Sequence, residues 1–68
     1  VSDLVVTMRH VRAAKLCSRG ARAWCEANGF SWSVLLDGGL SAEELERTGD
    51  PLALRAVAAA REEAAAHG

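Results

Sequence analysis

Apolar positions along this chain recur at helical spacing in short runs, each closed by a glycine or a serine/aspartate signal. The best-defined face belongs to Cys17, Ala21, Trp24 and Cys25, which stand at i, i+4, i+7 and i+8 and are opposed by Arg19, Arg22 and Glu26. Ser18 is the expected N-cap of this helix. Gly20 falls in its first turn, where it could admit a neighbouring helix, and Asn28-Gly29 stops it, with Phe30 placed to fold back on Cys25. Upstream, Thr7 caps a short basic helix from Met8 to about Ala14, with Met8, Val11 and Ala14 on one side and Arg9 and Arg12 on the other.

Downstream, Ser31 caps a third helix carrying Trp32, Leu35 and Leu36, which Asp37-Gly38-Gly39 ends. Ser41 with Glu44 reads as a capping box, and Leu40 with Leu45 as the accompanying hydrophobic staple, for a helix from Ala42 to about Arg47. Thr48-Gly49 stops that helix; Asp50 caps the last one, with Pro51 at its first position. This final helix runs to about Ala65. It offers Leu54, Val57 and Ala58 on one face and Leu52, Ala56 and Ala60 on the next. Leu4-Val5-Val6 has no evident second strand to pair with, so residues 1–6 are expected to be an extended arm. Residues 62–68 lack large apolar groups and are expected to be exposed and to fray. The predicted architecture is all-α: a single domain, a compact bundle of four to five short helices.

Composition agrees with this and limits the core. Half of the 68 residues are hydrophobic, but many of these are alanine, and Phe30, Trp24 and Trp32 are the only aromatic rings. A chain of this length leaves roughly 40% of its unfolded surface exposed, so its core is thin. No apolar run approaches the roughly 18 residues of a membrane span, and a cytosolic setting with reduced thiols is expected. The net charge of −1 conceals a polarity. Residues 1–34 carry five cations against two anions, and residues 35–68 three cations against seven anions. Such separation steers association with an acidic partner, or of one copy with another.

Candidate chemistry is sparse. His10, Cys17 and Cys25 are the only soft ligands near one another in sequence, but C-x7-C lacks the tight spacing of a structural zinc site and a fourth ligand is missing. Two buried helical thiols is the simpler expectation, and no metal or cofactor is predicted. No nucleophile stands with an acid-base pair, and no glycine-rich loop follows a strand, so a non-enzyme is expected. Arg9, Arg12, Lys15, Arg19 and Arg22 recur at threes and fours; with the first two helices collinear or closely stacked they would form a basic ridge. That ridge is the candidate partner-binding surface, for an acidic protein first and for nucleic acid second. A helix-turn-helix over residues 41–58 fails because Pro51-Leu52-Ala53-Leu54 offers base edges almost nothing to hydrogen-bond. Trp24 and Trp32 sit on apolar stripes and are expected in the core, with Arg19 and Arg22 beside them as the rim of a contact surface.

Met8-Arg9-His10-Val11-Arg12-Ala13-Ala14, Cys17-Ser18-Arg19-Gly20-Ala21-Arg22, Phe30-Ser31-Trp32 with Leu35-Leu36 and Gly39, and Gly49-Asp50 ahead of a helix together resemble a group of short proteins encoded by tailed phages and prophages of proteobacteria. The resemblance spans about residues 5–61 and carries no activity or site residue with it. It implies a phage setting, in which such proteins serve as connectors, tail or assembly components. DNA-binding regulators and inhibitors of host defence complexes are the alternatives.

Overall fold

In a computed structural model, which describes residues 4–67 and His67 by its backbone alone, the elements are β1 (Val5–Val6), α1 (Met8–Ala13), α2 (Ser18–Ala27), α3 (Trp32–Asp37), β2 (Leu40–Ser41), α4 (Ala42–Thr48) and α5 (Pro51–His67). The expected mostly helical bundle is what forms. Its largest element is α5, against which α1 and α4 pack, while α2 leans on α1 and α3.

Most helix stops follow from local chemistry. Gly29 takes φ 78°, Phe30 N–H donates to the Cys25 carbonyl at 2.8 Å, and the Phe30 ring stacks on Trp24 at 5.4 Å with 11° between planes. This is the predicted fold-back. Ser31 Oγ accepts from Val34 N–H at 3.3 Å, and Asp50 Oδ1 accepts from Leu52 N–H at 2.9 Å, both as expected of N-caps. The end of α1 repeats the stop of α2 without its glycine. Lys15 N–H reaches the Arg12 carbonyl at 2.9 Å and Leu16 N–H the Val11 carbonyl at 3.1 Å, with Lys15 itself left-handed at φ 63°.

Four local expectations are corrected. The N-cap of α2 is Cys17, whose Sγ accepts from Gly20 N–H at 3.2 Å, and not Ser18. Gly20 makes room for this cap rather than for a helix, because a Cβ there would lie 3.1 Å from Cys17 Sγ. Ser41 is the N-cap of α4 by backbone, but its side chain makes no capping bond. It is also a strand residue, and the N–H of Ala42 donates to the Leu4 carbonyl at 3.1 Å, so the residue preceding β1 supplies an acceptor at the start of α4. The arm, lastly, has a partner. Val5 and Val6 pair antiparallel with Ser41 and Leu40, which the helical cues around Ser41 concealed, while residues 1–3 of the expected arm lie outside the described residues.

The pairing depends on Gly39. Its φ is 96°, and a Cβ there would meet the Val6 carbonyl oxygen at 2.8 Å. Val6, buried between the ladder and α5, carries the strand into the core.

The buried face of α5 is Ala53, Ala56, Val57 and Ala60, at i, i+3, i+4 and i+7. Leu54, expected inside, is 43% exposed, and Leu52 is 41% exposed. Small side chains let the neighbouring helices approach α5 closely, so its larger residues are turned outward. Leu36 is likewise outside while Leu35 is buried. Beyond Arg61, where large apolar residues end, α5 continues as helix to His67.

Gly39→Ala is expected to lower stability by about 1–3 kcal/mol, through left-handed strain and the clash with Val6. Gly38→Ala, at a negative φ and with nothing near its Cβ position, should stay within about 0.5 kcal/mol of wild type. Urea unfolding followed by circular dichroism separates the two.

Candidate functional site

The five cations of the expected ridge divide among distinct surroundings. Arg9 is engaged: its Nη2 donates to Glu63 Oε1 at 2.6 Å, joining α1 to the C-terminal part of α5. The same carboxylate oxygen lies 3.1 Å from His10 Nε2. The hydrogen-bond network assigns the histidine proton. Thr7 N–H donates into His10 Nδ1 at 3.0 Å, so Nδ1 is the acceptor and Nε2 carries the hydrogen toward Glu63. His10 is thereby a buried structural hinge pin, 5% exposed, with both ring nitrogens committed. The Arg9 guanidinium first, and the His10 ring second, hold the Glu63 carboxyl below the usual carboxylate range.

Arg12, Lys15 and Arg19 are exposed and make no ion pair among the described residues. Arg22 stands 3.4 Å from Glu26 one turn on, an exposed pair of small energetic weight. Helices α1 and α2 are not collinear, because the left-handed Lys15 and the extended Cys17 interrupt the helix. What the tertiary structure does bring together is Arg19, Arg22 and Trp32. With Ser18, Ala23 and Glu26 they line a shallow hollow on the outer side of α2, where the Gly29 stop sets the start of α3 beside the preceding helix. Trp32 is half-buried rather than enclosed. The sequence places it on an apolar stripe; its meeting with the arginines depends on how α3 folds back.

The thiols also part company. Cys25 is buried, and burial, with a smaller contribution from Glu26, pushes its thiol up and keeps it neutral. Cys17, expected to be buried with it, is an exposed cap. Among the described residues, no three of the histidine, cysteine, aspartate and glutamate side chains gather to hold a metal ion.

Two outcomes follow from this geometry. A group whose folded pKa is depressed stabilises the fold above its ordinary value, 4.5 for this carboxyl, and loses that contribution as pH falls through the folded value. Glu63→Gln should therefore melt below wild type at pH 7 and pH 5, with the gap closing below about pH 4; paired thermal melts at these pH values check it. In a thiol-reagent assay of the native protein, Cys17 should react promptly and Cys25 only on unfolding, as mapped by mass spectrometry of the labelled chain. In comparisons with known proteins, no family model, no curated protein and no solved structure matches this chain.

Proposed function

We propose that this chain is a non-enzymatic binding module, a structural or assembly component of a tailed phage or prophage that engages an acidic protein through the outer face of α2. The observation carrying this reading is the hollow in which Arg19 and Arg22 flank a half-buried Trp32. Tryptophan and arginine are the residues that most often dominate binding energy at interfaces. Here they share one face of a short helical hairpin. Glu26 in the same hollow favours a protein surface of mixed charge over a phosphate backbone, and Arg9 is already claimed by Glu63. His10, with both ring nitrogens engaged, is poorly placed for acid-base work.

The partner is an acidic virion protein or a second copy. In the second case the exposed Glu43 and Glu44 of the first turn of α4 are the natural counterparts of the arginines.

The test compares wild type with Arg19→Glu/Arg22→Glu by native mass spectrometry and by recovery with purified phage particles, and measures duplex-DNA binding by anisotropy. Wild type should self-associate or travel with a virion protein. The charge-reversed variant should do neither while melting at an unchanged temperature. A wild-type protein that stays monomeric and free of particles defeats the reading, and DNA affinity falling steeply with salt would replace it with the regulator alternative.

A further inference from the structure

The inner face of α2 looks onto space that the fold does not fill. Between it and α5 lies a chamber of about 360 Å³, walled by Val6, Val11, Leu16, Trp24, Leu45 and Ala56. Its origin is the choice of residues on the two facing helices. Gly20 and Ala21 on α2 and Ala53 and Ala56 on α5 all line it, and none carries a side chain beyond a methyl. The main packing of α2 is to α1 and α3, and that of α5 is to α1 and α4, so neither helix closes the gap from its own side. An unfilled apolar space of this size is a standing cost to a core built largely from alanine and valine. The volume falls in the lower part of the range typical of small-molecule sites, about 300–1,000 Å³. The space opens to solvent on one side, and an apolar guest entering it would take the apolar lining out of water.

One polar feature of the wall indicates the guest's head. Lys15 is the one charged residue in the lining; it is exposed, stands at the rim beside Cys17, and its ammonium makes no ion pair or hydrogen bond among the described residues. It also occupies the left-handed stop of α1, at φ 63°, a position where glycine would be unstrained. A lysine there places an ammonium at the chamber's edge at the cost of local backbone strain.

We propose that the chamber is a binding site for an aliphatic monocarboxylate of medium length, its chain among Val6, Val11, Leu45 and Ala56 and its carboxylate held by Lys15. The site is distinct from the outer face of α2 and does not depend on which partner that face engages. Charge complementarity decides the class: the lining holds one cation and no anion, so an amine is excluded and an uncharged alcohol forgoes the strongest contact.

The experiment titrates submicellar decanoate, with decanol as the uncharged control, into the protein in a Trp32→Phe background so that Trp24 alone reports by fluorescence. Decanoate should bind at one saturable site, shift the Trp24 emission and raise the melting temperature, with decanol roughly tenfold weaker. Lys15→Gly should melt higher than the parent without ligand, because the strain is relieved, yet lose roughly tenfold in decanoate affinity while decanol is unaffected. Lys15→Arg should keep decanoate binding, and Ala56→Leu, which narrows the chamber, should weaken it. No saturable binding, equal affinity for the two ligands, or an undiminished decanoate affinity in Lys15→Gly or in Ala56→Leu would each overturn the assignment.

Discussion

The small-residue face of α5 is the constraint on which the other elements depend. With Ala53, Ala56, Val57 and Ala60 inward, α5 can be approached closely by α1, α4 and β1, but each contact buries little area. The helix is therefore also fastened by polar contacts along its length. Arg55 donates to the Ala14 carbonyl at the end of α1, Arg61 pairs with Glu46 of α4 at 2.5 Å, and Glu63 receives Arg9 and His10. Exposed ion pairs are worth about 0–1 kcal/mol each, so no single one holds the fold. The His10 contact differs because the ring is buried and its hydrogen bond to Thr7 also sets the entry into α1.

The same constraint displaces the large side chains. Leu52, Leu54, Val34 and Leu36 are left outside, and Trp24 stacks with Phe30 at the flank instead of plugging the centre. Helix α2, standing against α1 and α3, consequently has two faces with different chemistry. Its outer face joins Arg19 and Arg22 to Trp32; its inner face borders the apolar chamber. The charge polarity of the chain is partly consumed within the molecule. Arg9 from the basic half is spent on Glu63 from the acidic half, while Glu46 is claimed by Arg61 from its own half. What remains to attract a partner is narrower than the formal charges suggest.

Legibility in the sequence followed the reach of each contact. The caps at Ser31 and Asp50 and the Gly29-Phe30 stop join groups two to five residues apart, and the residue types alone announce them. The Ser41–Glu44 box was announced just as clearly and did not form, since Ser41 is drawn into a ladder with Val5 from the far end of the chain. Cys17 went unrecognised as a cap because a thiol is a weak acceptor and Ser18 beside it is the stronger candidate by type. The ridge of five cations was visible as a spacing, but the meeting of Arg19 and Arg22 with Trp32 was not. It needs the turn at Gly29 and the start of α3 to be placed in space.

By itself the sequence determined a bundle of four to five short helices, most of their ends and the thinness of the core, because hydrophobic period, capping groups and alanine content act within a turn or two of chain. Only the tertiary structure decided which face of α5 is buried, that Val5–Val6 finds Leu40–Ser41, that Glu63 crosses 54 residues to Arg9, and that α2 keeps an open chamber behind it. Each of these depends on two segments competing for the same neighbour, a contest settled by side-chain volume and backbone hydrogen bonding in three dimensions, for which a linear pattern holds no record.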